Sequence, residues 1–107
     1  MKRYGQTIRI KKEYLELYVK EHAAVWPGVL AQIKKSNIQN YSIFLHEDIL
    51  FSYFEYTGDN FTTDMKAMAQ DPETIKWWEY MKPMQEQWPE TPQEEWWLNM
   101  KEVFHID

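Results

Sequence analysis

The sequence predicts one α+β domain over residues 1–107, an antiparallel sheet covered by helices on one face. Three observations predict it. Residues 2–10 alternate between two faces, residues 11–24 carry an amphipathic stripe free of Gly and Pro, and residues 40–59 hold two aromatic and β-branched runs around a polar turn. At 107 residues and 44% hydrophobic content, such a chain can bury a core without staples.

In KRYGQTIRI, Tyr4, Gln6, Ile8 and Ile10 share one face while Arg3, Gly5, Thr7 and Arg9 share the other, as in a strand. From Lys11 to Ala24, Leu15, Leu17, Tyr18, Glu21, His22 and Val25 trace the broad stripe of a half-buried helix. Trp26-Pro27-Gly28 breaks it, because the residue before proline leaves the helical region, and VLAQIKKSN forms a shorter helix. NYSIFLHED and ILFSYFEYTGD then make a hairpin that turns between His46 and Asp48, with Tyr41, Ile43 and Leu45 opposite in phase to Ser42, Phe44 and His46. Asn60 caps a helix that runs to Gln70, and Asp71-Pro72-Glu73 opens another that carries TIKWWEYM and is limited by Pro83. Gln85 to Glu95, with Pro89 and Pro92, reads as a loop, and Leu98 to Ile106 as a closing strand.

The order strand, helix, strand, strand, helix, strand is the split βαβ or ferredoxin-like arrangement. With all helices on one face, the other face needs a ligand cavity or a second copy to cover it. A closed two-fold pair is the commonest solution, so a homodimer with facing sheets, a dimeric α/β barrel, is expected.

The composition excludes several function classes. No cysteine is present, which removes disulfides, thiolate metal sites and thiol chemistry. A net charge of -5 with no basic stripe argues against nucleic-acid binding. No stretch approaches the roughly 18 apolar residues of a membrane span, and the protein is expected to be soluble and cytoplasmic. His46 and His105 lack ligand spacing with His22, so no metal is expected. With Gly only at 5, 28 and 58, there is no phosphate loop or dinucleotide fingerprint, and any chemistry is expected to be cofactor-free acid/base work.

Six Trp and seven Tyr are many for a small core. In YLELYVKEHAAVWP a ring stands at every fourth position: Tyr14, Tyr18, His22 and Trp26. A step of four overshoots one helical turn by about 40°, so neighbours touch while the ends of the ladder face differently. Such stripes are most often packing, yet His22 one turn from Tyr18 is a pairing suited to proton transfer near neutral pH. Trp77-Trp78 and Trp96-Trp97 are adjacent pairs whose side chains diverge on a helix, and each pair could pack, meet a second copy or border a cavity. Indole faces beside tyrosine and histidine suit a sugar, whose apolar C–H face stacks on rings while polar groups hold its hydroxyls.

YVKEHAAVWP, NYSIFL, DPETIKWWEYM and KEVFHID, in this order and spacing, resemble the L-rhamnose mutarotases nearly end to end. The resemblance implies a dimeric ferredoxin-like fold whose sheets enclose a sugar pocket, without a cofactor. It implies interconversion of the α and β anomers of L-rhamnose, with His22 as proton donor and with Tyr18, Tyr41, Trp77 and Trp78 on the substrate. The chain departs from the family pattern at Ala24, where proline is frequent, and at Gly28, where an acidic residue follows Trp-Pro; Gly28 is expected at the pocket rim.

On this reading His22 supplies or relays the ring-oxygen proton, Tyr18 and Tyr41 hold hydroxyls, and Trp77 with Trp78 covers the apolar sugar face and the methyl group. The rival readings are a monooxygenase-type enzyme of the same dimeric architecture and a sugar-binding dimer without catalysis.

Overall fold

The computed structural model describes residues 1–107. Strand β1 spans Lys2–Ile10; a 3-10 turn at Lys12–Tyr14 leads into α1, Leu15–His22, and then α2, Pro27–Lys35. The hairpin is β2, Ile38–His46, and β3, Ile49–Tyr56; α3 is Phe61–Gln70 and α4 is Pro72–Met81. A second 3-10 turn at Lys82–Met84 precedes the short β4, Gln85–Glu86, and β5 is Leu98–Met100.

All strand pairs are antiparallel, in the order β2-β3-β1-β4 with β5 also on β1. The inner face presents Ile8, Ile10 and Leu50 to the helices, where they meet Val29, Tyr18, Trp77, Met81 and Met84 in one core cluster. Ile38, Phe54 and Met68 form a second. Each such large side chain contributes about 1.5–3 kcal/mol by leaving water.

Local chemistry sets the helix boundaries. Asn60 accepts from the Thr63 amide at the start of α3, and Asp71 accepts from the Thr74 amide at the start of α4, so each cap satisfies an otherwise orphaned donor. The long helix expected from Lys11 is shorter, because its first turn is 3-10 and Lys11 offers no capping side chain. Pro27 is the first residue of α2 rather than a spacer, since its fixed φ suits that position while Trp26 stays extended. Gly28 lies inside α2, where a Cβ would overlap the Glu73 carboxylate reaching across from α4. Glycine here makes room for that close approach, and Gly28 does not stand at the pocket rim.

Two further expectations are corrected. The closing strand is three residues long, because only Leu98–Met100 find partners, opposite Gly5–Thr7. Lys101–Asp107 have no regular structure and lie exposed, with Phe104 79% and Ile106 77% accessible, although Arg3 still holds Glu102 at 2.9 Å. The implied pocket between facing sheets has no counterpart within this chain, whose cavity lies between the sheet and its own helices. Trp88 covers the outer face only at Thr7 and Arg9, and the rest is left bare, with Phe44 64%, Phe51 39% and Met100 42% exposed.

Strand β2 carries a bulge between Gln39 and Ser42. With a period of two, Ile38 and Ile43 would face opposite sides; one extra residue returns both to the inner face. Asn40 absorbs it at φ 49, a left-handed conformation that asparagine tolerates. The Glu55 carboxylate accepts from Asn40 at 2.6 Å, Tyr53 at 2.7 Å and Gln39 at 3.1 Å, which pins the bulge and holds Glu55 below the usual carboxylate range.

Candidate active site

A cavity of about 450 Å³ opens between the inner sheet face and the helices. That volume lies in the range of small-molecule sites. Tyr18, His22, Tyr41, Trp77 and Trp78 all line it, so the five residues singled out in the sequence come together from α1, β2 and α4.

His22, the last residue of α1, is half-buried. Its Nδ1 lies 2.8 Å from the Tyr18 carbonyl oxygen. A carbonyl only accepts, so Nδ1 carries the hydrogen and Nε2 of the neutral ring holds a lone pair. The ring stacks on Tyr18 at 4.1 Å and meets the edge of Trp77 at 5.3 Å. Burial pushes its pKa below the ordinary 6.5, opposed by the Tyr18 carbonyl and by Glu21, so the neutral form prevails at pH 7.

The ladder divides as helix geometry requires. Tyr14 is 37% exposed and does not reach the cavity, whereas Trp26 leans on Trp77 at 5.0 Å and on Tyr80 at 6.4 Å. Rings 18, 22 and 77 thus form one connected wall, with Trp77 buried and Trp26 packed behind it outside the cavity.

Tyr18 is 4% exposed. Burial drives its pKa far above the ordinary tyrosine value, against a hydrogen bond from Gln85 that lowers it, and the nearby Tyr41 adds a further upward push. Tyr41 enters the cavity because the bulge restores its phase. It is 40% exposed as a residue, but its hydroxyl is crowded by protein, and desolvation pushes its pKa up to about 12. Exposure and desolvation report different things here, the whole ring in one case and the oxygen in the other. Both phenols stay protonated at neutral pH and can hydrogen-bond sugar hydroxyls.

Trp78 shares the wall with Met65, Phe61 and Phe54. Trp96 and Trp97 both line the cavity, brought there by the loop between β4 and β5. Lys82 lies 5.0 Å from the Trp96 ring and 5.7 Å from that of Trp78, joining the two indoles. Sequence reasoning missed Gln85, which carried no signal in a segment assigned to a loop, and Gln6 and Asn99, which bond to each other at 2.9 Å on the inner face of β1 and β5.

The arrangement offers one imidazole, two phenol donors and flat apolar walls, with Lys82, Glu94 and Glu95 also on the lining and no cluster of His, Asp or Glu able to hold a metal ion. That is a constellation for acid/base work on a small polyhydroxylated ring. Comparison with known proteins points the same way. The L-rhamnose mutarotase of Lactiplantibacillus plantarum is 33% identical over 113 residues, covering all of both chains. That of Oceanobacillus iheyensis is 34% identical over 110 residues, again covering both chains completely, and that of Listeria monocytogenes is 38% identical over 85% of each. The crystal structure of L-rhamnose mutarotase from Formosa agariphila superposes with a TM-score of 0.77 over the whole of both chains at 21% identity, which shows a shared fold. The L-rhamnose mutarotase family model matches residues 3–106, and with relatives at this identity along its full length the chain belongs to that family.

Proposed function

We propose that the protein interconverts the α and β anomers of L-rhamnose or a closely related deoxy-sugar, with His22 as the proton-transfer group. One observation carries the mechanism: the Tyr18 carbonyl holds His22 Nδ1–H, leaving a basic Nε2 for the cavity. Nε2 takes the proton from the C1 hydroxyl as the C1–O1 double bond forms and the bond from C1 to the ring oxygen breaks. The departing ring oxygen keeps the bonding pair and takes the proton back from the imidazolium. Both oxygens sit on C1, so one nitrogen serves them in turn, and the same steps in reverse close the ring on either face of the rotated aldehyde. Tyr18 and Tyr41 hold sugar hydroxyls, while Trp77 and Trp78 cover the apolar face and the methyl group. The cycle regenerates the enzyme without a cofactor.

The working form is a homodimer, supported by the bare outer sheet face and its exposed Phe44 and Phe51. The protein works in the cytoplasm, and its net charge of -5 supports the absence of a nucleic-acid or anionic-membrane partner, because such surfaces would repel it.

The test is NMR saturation transfer between the two anomeric protons of L-rhamnose at a pH where spontaneous exchange is slow. Wild-type protein is expected to make exchange visible and His22→Asn to abolish the gain. Exchange at the solvent rate with folded wild type would overturn the assignment. Thermal protection by the sugar would then leave the binding-only reading, and oxygen uptake with a quinol would indicate the monooxygenase-type one.

A further inference from the structure

Gln85 sits 7% exposed at the start of β4, between two cavity residues. Its Oε1 lies 2.6 Å from Trp96 Nε1, and its Nε2 lies 2.9 Å from the Tyr18 hydroxyl oxygen. An indole nitrogen can only donate, so the amide atom facing Trp96 is the oxygen, and the atom facing Tyr18 is the NH2 group. Gln85 therefore donates to Tyr18. The Tyr18 oxygen is committed as an acceptor, and its own hydrogen has no protein acceptor in reach.

We infer that Gln85, fixed by Trp96, is a positioning residue that orients the Tyr18 hydroxyl as a donor into the cavity, toward a sugar oxygen. Without it the buried phenol could turn either way, and half of its orientations would present a lone pair where the substrate needs a hydrogen. The chain of donors runs one way, from indole to amide to phenol to ligand, and each link polarises the next. The inference rests on the proposed role of Tyr18, and its test separates the two.

Gln85→Glu keeps the shape but reverses the link, because an ionised carboxylate accepts from both neighbours and draws the Tyr18 hydrogen away from the cavity. Gln85→Met keeps the volume and leaves Tyr18 free to rotate. The expected result is a tenfold or greater fall in catalysed anomer exchange for Gln85→Glu, about the size of the loss in Tyr18→Phe, and a fall of about threefold for Gln85→Met. In a Tyr18→Phe background Gln85→Glu should add no further loss, since the two changes remove one donor. The other titratable groups lining the cavity are His22, Tyr41, Lys82, Glu94 and Glu95. They are common to both proteins, so the ratio of variant to wild-type rate reports the introduced carboxyl once the upward shift it imposes on His22 is read from the acid limb of each profile. That ratio should recover as pH falls, because a protonated carboxyl can donate to Tyr18 again.

Equal losses in Gln85→Met and Gln85→Glu, an undiminished loss in the Tyr18→Phe background, or a pH-independent ratio would overturn the inference. Ultraviolet resonance Raman of tyrosine gives a readout that needs no activity. Subtraction of the Tyr18→Phe spectrum should show Tyr18 as an acceptor in wild type and as a donor in Gln85→Glu. If exchange fails in wild type but this reversal is seen, the function assignment falls and the positioning stands. If Gln85→Glu does not fold, Trp96→Phe replaces it: with the amide released, Tyr18 should lose its acceptor signature, and an unchanged spectrum refutes the device.

Discussion

At the scale of single residues, His22 is where chemistry and burial meet. Its folded-state pKa lies below the ordinary 6.5 because desolvation penalises the cation. The unfolded chain therefore binds a proton at this position more readily than the folded one. Above pH 6.5 both states are neutral and there is no cost; as pH falls below 6.5, stability is lost until the folded-state value is passed. A melting series from pH 7 to pH 5 should show a smaller drop for His22→Asn than for wild type. Because L-rhamnose does not ionise, the acid limb of kcat/KM should report the same group, with its midpoint below 6.5. Tyr41→Phe should lower kcat/KM by about three- to tenfold, the worth of one neutral hydrogen bond, with the melting temperature nearly unchanged. The pairing of Tyr18 with His22 was legible because side chains four apart on a helix are neighbours. The tautomer was not, since it depends on a backbone carbonyl that every residue possesses.

At the scale of elements, the bulge in β2 and the caps of α3 and α4 decide which side chains reach the cavity. Asn40→Val places a β-branched residue at φ 49, whereas Asn40→Gly accepts that conformation without strain. The valine variant should lose about 1–3 kcal/mol in denaturant titrations and weaken sugar binding through Tyr41. The glycine variant should retain binding. Asp71→Ala removes an oxygen that accepts from both the amide and the hydroxyl of Thr74, at 3.0 and 2.8 Å. It should cost about 1 kcal/mol and loosen the first turn of the helix that carries Trp77 and Trp78. Asn60 and Asp71 announced these starts in the sequence, and Pro83 announced the end of α4. The bulge left only an Asn-Tyr pair, which also suits an ordinary strand entry. The short β5 was hidden because the alternation of Leu98 and Met100 continues through Phe104 and Ile106, while the pairing with β1 stops at Gly5.

At the scale of the whole molecule, the sheet separates two surfaces of different kinds. The inner one is closed by helices around the cavity, and its residues were found through Trp77-Trp78 and Tyr41. The outer one carries Phe44, Phe51 and Met100. Phe44→Asp should shift sedimentation equilibrium toward monomer, because a carboxylate there would be desolvated on pairing. Fold class was readable from the order of elements, because alternation and helical stripes survive without tertiary knowledge. The side of the sheet that holds the cavity was not, since both faces of the hairpin are rich in rings. That placement has a consequence for saturation behaviour. In a pair joined through the outer faces, two complete sheets would stand between one cavity and the next. Loading one would move nothing that the other touches, so the rate should rise hyperbolically with sugar concentration, without cooperativity between protomers.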